Sequence, residues 1–300
     1  MSAADDAGRD AGPMGAGWGG GGDASLAPAA GEPPVPPREA VAAMHVHVPT
    51  RGNRKLQQLL DAVNADDQVK AWWHVAAVNA TRRLGMSDHS WVHIQIVTNI
   101  ALRMARLLFR RGVVPGMVAD YAMTERDAEV VIAAGCLLHC VGMQVHRTDH
   151  EAFSLFLAAD KLPQLLAGIY PEPERSVVVA EALHAIIGHR RRGDPFTIEA
   201  GIVRVADALD MARGRSRIPF ELGRPNIHSL SAYAIDEVKI SAGRERAVRV
   251  EILMSNSAGI FQVDELLATK LEGSGLEHHL EVVARIEGET EKRLLPVFRL

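Results

Sequence analysis

Leu137-Leu138-His139-Cys140-Val141-Gly142-Met143 is an apolar run broken at its centre by an imidazole and a thiol. It closes a helical pattern over residues 127–139 in which His139 falls in line with Val131, Ile132 and Gly135, the spacing of a single helix face. A face that apolar has to be buried, so His139 is expected to point into a helical interior. Cys136 and Cys140 are the only cysteines and stand four residues apart in the same run. That count excludes a disulfide scaffold and suits a reducing, cytoplasmic setting, with both residues as free thiols.

Outward from this run the helical period continues. Upstream, His93-Ile96-Val97-Ile100-Met104-Leu107-Leu108 keeps to one helical face, with Asp88 or Ser87 placed to cap its start. Downstream, residues 151–168, 177–189 and 198–212 read as further helices, separated by Gly-rich and Pro-containing turns at 112–116 and 193–195. The expected architecture is mainly α, a helical bundle over residues 55–218. Beyond Pro219 the period changes to alternation. Val238-Lys239-Ile240 and Val248-Arg249-Val250-Glu251-Ile252 read as a hairpin across Gly243-Arg244-Glu245, followed by a helix at 264–271, a stop at Gly273-Ser274-Gly275 and a strand at 280–286. This is a small α+β module of β-β-α-β order over residues 226–300, whose sheet requires a covering surface. Residues 1–40 hold nine of the 26 glycines and six of the 15 prolines and are expected to form a disordered tail.

Composition narrows the function. A formal charge of −4 and a pI near 6.4 leave no basic excess for a nucleic-acid backbone, so no nucleic-acid partner is expected. The most apolar segment, 91–109, carries His93, Gln95, Arg103 and Arg106, so no membrane span is expected. The N-terminus opens with Asp5 and Asp6 and lacks a basic-then-apolar secretion pattern.

The main functional signal is a concentration of histidine. Seven of the 13 histidines lie between His89 and His189, and Asp207 follows in Arg204-Val205-Ala206-Asp207-Ala208-Leu209-Asp210-Met211. One inward histidine is usually a hydrogen-bonded core residue, but several together with a carboxylate on facing helices are a common way to build a metal site. Imidazole and carboxylate suit zinc, manganese, iron or nickel.

The order of His93, His139 with its short neighbour, and distant Asp207 resembles the HD superfamily of metal-dependent phosphohydrolases, named for a His-Asp doublet. The resemblance covers residues 87–217. It implies an HD-type helical bundle with His93, His139 and Asp207 as metal ligands, and His150 and His189 as ligands of a second metal. It also implies a divalent ion that activates a water for attack on phosphorus in a small phosphorylated substrate. Cys140 stands where the doublet has its aspartate, and a thiolate is a poor copy of a bridging carboxylate although it can ligate zinc or iron. Three readings therefore stay open: an active phosphohydrolase, a non-catalytic regulatory or nucleotide-sensing scaffold with a degenerate site, and a di-iron oxygenase. Arg147 is the expected phosphate-binding cation and His146 an accessory group. Arg190-Arg191-Arg192 and the cluster of Arg213, Arg215 and Arg217 are further cations. The terminal module is expected to serve a homodimer.

Overall fold

A computed structural model of the chain describes residues 35–191, 193–212 and 227–286. The segment 1–34, Arg192 and the cluster of Arg213, Arg215 and Arg217 lie outside the described residues, as does the 218–226 boundary between bundle and module.

Helix α1 (Pro37–Ala42) occupies the last residues of the segment expected to be irregular. Pro37 fixes φ at the first helical position, where no amide is required, and Val41 is buried. Helices α2 (Arg54–Ala65) and α3 (Asp67–Ala77) start at Asn53 and Asp66, whose side chains accept the Leu56 and Val69 amides. A π-type extension, Val78–Arg83, carries α3 onward. Helix α4 (Trp91–Arg110) is capped by Ser90, not by Asp88 or Ser87. Asp88 instead accepts bonds from the Ser90 amide and hydroxyl. The buried face of α4 is also wider than the expected stripe, taking in Ile94, Thr98 and Leu102, while Ile96 faces outward.

A short α5 (Gly116–Ala119) precedes α6 (Glu125–Leu138), which begins with a reciprocal cap between Thr124 and Asp127 and is buried from Val130 to Leu138. A 3-10 turn, Val141–Gln144, leads to α7 (His150–Leu166), then α8 (Glu174–Gly188) and α9 (Ile198–Leu209). Helix α6 is the axis: α4, α8 and α9 pack around it, and α7 packs on α8 and on the 3-10 turn. By length and composition alone, Trp91–Arg110 and Glu125–Gln144 are apolar enough to cross a membrane. However, 61% and 89% of those windows are buried inside the protein, as befits the core helices of a bundle.

After α10 (Ile227–Tyr233), strands β1 (Ile235–Ala242) and β2 (Val248–Met254) pair antiparallel, and β3 (Leu280–Ile286) pairs parallel with β2. Between β2 and β3 runs a helical stretch, π-type over Gln262–Ala268 and α over Thr269–Leu271, here α11. The β-β-α-β order is therefore present. Alternate residues Val248, Val250, Ile252 and Met254 are buried, and both hairpin strands meet α4, so the chain's own bundle covers one face of the sheet. Arg111 adds bonds to the Gly243, Arg244 and Arg246 carbonyls at the hairpin end.

Candidate metal centre

His93 stands on α4, His139 just past the end of α6, and Asp207 near the end of α9. Packing of these helices converges their polar atoms. The Nε2 atoms of His93 and His139 are 3.3 Å apart, and each lies 3.5 Å from Asp207 Oδ1. Four ligands bound tetrahedrally at about 2.0–2.1 Å would be about 3.3–3.4 Å from one another. The three atoms thus have the spacing of one face of a coordination tetrahedron.

Their tautomers are set from behind. His93 Nδ1 donates to Asp210 Oδ2 at 2.6 Å and His139 Nδ1 donates to the Cys136 carbonyl at 2.7 Å. Each ring is thereby oriented with its Nε2 toward the centre, the usual device for orienting a ligating histidine. The same pattern recurs at His189, whose Nδ1 donates to the Ile186 carbonyl. Four rings follow one another from His93 through His139 and His189 to His150, with centroids 5.3, 5.0 and 5.6 Å apart.

This constellation coincides with a family match: an HD domain is matched over residues 88–212. The chain is also 37% identical over 233 residues to the uncharacterized protein MJ1020 of Methanocaldococcus jannaschii, spanning 78% of this chain and 90% of the relative. The chain belongs to the HD-domain family. No solved structure matches it.

In this HD domain Cys140 lies between two groups of possible ligands. His93 and His139 are on one side and His150 and His189 on the other, and within each group every ligand atom, the sulfur included, is within 4.8 Å of the rest. Burial alone would raise the Cys140 pKa, but the imidazoles of His139, His150 and His189 hold it well below the ordinary thiol value. Burial alone would favour neutral His139, yet the Cys140 thiolate and the Asp207 carboxylate hold its pKa up at about 10. His189 is pushed down, chiefly by burial, toward the neutral form that binds metal. The donor set, four imidazoles, a carboxylate and an acidified thiol, fits a divalent ion of the zinc or iron kind.

The site opens to a cavity of about 490 Å³ lined by Cys140, His150, His189 and Asp207 on its floor. Arg147 lines the wall, with Nη1 3.0 Å from His150 Nδ1, and so does Arg191, which pairs with Glu265 at 3.3 Å. His146 does not reach it. Its ring is exposed on the turn after Gln144, where Nδ1 accepts the Thr148 amide, because two residues further on the chain has turned into solvent. Arg190 does not line the cavity. His89 lines the rim one turn from His93, with ring centroids 5.4 Å apart.

Three participants escape a reading of the sequence alone. Asp210 is signalled by its spacing, three residues after Asp207 on the same side of the chain. Lys270 has no such signal: it comes from α11, and its Nζ lies 2.5 Å from Asp207 Oδ2. Arg204, one turn before Asp207, is 2% exposed. It donates to the carbonyls of Arg190 and Arg191 beyond α8 and of Thr269, Lys270 and Glu272 at the end of α11. Thr269 and Lys270 lie in the last turn of α11, where helix ends leave carbonyls without partners, so one guanidinium ties that end and the turn after α8 to α9.

Proposed function

We propose that this chain is a metal-dependent phosphohydrolase acting on a small phosphate ester or nucleotide-like substrate. The reading rests above all on the triangle of His93 Nε2, His139 Nε2 and Asp207 Oδ1, at 3.3–3.5 Å, of which Asp207 also lines the cavity. A divalent ion held there would lower the pKa of a water and withdraw charge from phosphoryl oxygens. The protein's own part is to orient and to bind. Asp210 and the Cys136 carbonyl hold the two imidazoles in ligating tautomers. Arg147 and Arg191 offer guanidinium groups at the cavity wall, the side chain best suited to phosphate oxygens. His150 and His189, sharing Cys140 with the first group, are the residues that would hold a second ion.

The test is metal analysis of the full chain, purified without a metal-binding tag, followed by a phosphate-ester screen with zinc, manganese, iron and nickel. Near-stoichiometric metal and phosphate release, both lost in His139→Ala, are the expected results. A chain that neither carries nor accepts metal would overturn the proposal. Cys140 favours a second reading, a regulatory or nucleotide-sensing HD domain that binds metal without turnover. A metal-loaded but silent wild type whose activity appears in Cys140→Asp would select it.

The proposal extends to a cytoplasmic homodimer built through the terminal module. A light-scattering mass of one chain at micromolar concentration would refute the dimer.

A further inference from the structure

The bundle alone does not finish the candidate metal centre. Asp207 offers two oxygens: Oδ1 is the one 3.5 Å from both histidine nitrogens, and Oδ2 is held at 2.5 Å by Lys270 Nζ. Both side chains are about nine-tenths buried, and Lys270 lies 63 residues further along the chain, beyond the hairpin. We propose that Lys270 is a positioning residue of the centre: by occupying Oδ2 it fixes Asp207 as a one-oxygen ligand, so the C-terminal module completes the site. This rests on the metal-centre reading.

A stray ion pair would not need the seating that delivers this one. Arg204, one turn before Asp207 on α9, holds the Thr269, Lys270 and Glu272 carbonyls and so sets the depth of α11 against α9. Gly201, two turns before Asp207, carries the second contact. A Cβ there would meet the Ser274 carbonyl oxygen at 2.0 Å, so only glycine lets the turn after α11 lie against the α9 backbone. Gly201, Arg204 and Asp207 lie along α9, and between them they meet Ser274, the Thr269, Lys270 and Glu272 carbonyls, and the Lys270 ammonium. An ammonium donor is also suited to the task, since it can satisfy a buried carboxylate oxygen without competing for the metal.

The experiment is zinc affinity by chelator competition on the metal-free full chain, with no turnover required. Wild type is compared with Lys270→Met, Lys270→Gln and Lys270→Arg. Loss of a partner that orients a ligand typically costs about 10–100-fold in metal affinity, and Lys270→Met is expected in that range. Lys270→Arg, which keeps a charged donor, should recover part of the loss. Lys270→Gln, closer in shape and polarity, should fall between them and serves if Lys270→Met does not fold. A role confined to fold stability predicts lower melting temperatures but wild-type zinc affinity in every folded variant, and that result would overturn the inference. Wild type that binds no zinc, manganese or iron would overturn the metal-centre reading and this inference with it. Metal-binding wild type with unaltered variants would overturn only the role of Lys270.

Discussion

Gly142 sits in the 3-10 turn directly after the His139-Cys140 pair, and replacing it with alanine is the sharpest test of how the two halves of the site are held together. Its amide donates to Ser154 Oγ at 2.8 Å, and that hydroxyl donates to the His139 carbonyl at 2.7 Å. A Cβ at this position would lie 1.9 Å from the His150 carbonyl oxygen and 2.5 Å from the Ser154 amide nitrogen, both backbone atoms. Real Cβ contacts essentially never fall under 3.0 Å, so α7 must withdraw by about 1.1 Å at its first turn. Overpacking of this sort costs about 1–3 kcal/mol, and with backbone on both sides the upper end applies. For a body of this size about 3 kcal/mol lowers Tm by about 6–12 °C. The functional consequence is selective. His150 rides on the displaced turn, whereas His93 and Asp207 do not, and metal ligands tolerate displacements of only about 0.2 Å. Gly142→Ala should therefore lose the ion of the Cys140–His150–His189 group first, read as a fall in bound metal per chain beside the lower Tm by circular dichroism. A variant with Tm within about 1 °C of wild type and unchanged metal content would refute the packing argument.

Asp210→Asn removes the charged acceptor behind His93 and is expected to weaken metal binding by about 10–100-fold, about 1.4–2.8 kcal/mol, with the fold intact by circular dichroism. Arg204→Met strands carbonyls at the ends of two helices and should destabilise the chain by about 3 kcal/mol or more in urea unfolding. Asp127 predicts an acid limb in stability. Burial opposes its ionisation, but bonds from Lys55, Thr124 and Tyr170 hold its pKa below the ordinary value. A depressed folded pKa gives stability that is present above the unfolded value of about 4 and lost as pH falls through the folded one. Urea midpoints measured between pH 6 and pH 3 should therefore fall more steeply for wild type than for Asp127→Asn, and parallel curves would exclude Asp127 as the cause.

What was legible in the sequence followed from periodicity and local chemistry. The long helices of the bundle betray themselves by apolar spacing, and the hairpin by alternation around Gly243. His93 and His139 are readable because they fall on apolar helix faces, and Asp207 through the resemblance to the HD pattern. What escaped depends on contacts between distant segments. Ser90 outcompetes Asp88 as a cap because Asp88 is engaged with Ser90 itself. The covering of the sheet by α4, and the reach of Lys270 from α11 to Asp207, join residues whose separation in sequence carries no periodic signal. For His146, nearness to His139 in the chain suggests nearness in space, whereas the turn at Val145 leaves it exposed and outside the cavity lining.

Cys140 is the departure from the HD pattern on which the proposed activity turns, and Cys136 supplies the comparison within the chain. Both are buried thiols four residues apart. Burial and the Asp207 carboxylate push Cys136 well above the ordinary thiol pKa, while three imidazoles push Cys140 well below it. Residue type and burial are the same, so position alone makes Cys140 ligand-like: its sulfur is shared by both groups of histidines. That shared position is what a ligand sulfur would occupy, and the thiolate is the form that binds metal. Cobalt makes the difference visible. Metal-free chain loaded with cobalt(II) should develop a sulfur-to-metal charge-transfer band in the near ultraviolet that survives in Cys136→Ser and disappears in Cys140→Ser. Cobalt bound without that band would mean that the metal sits on nitrogen and oxygen alone, and that Cys140 only fills space.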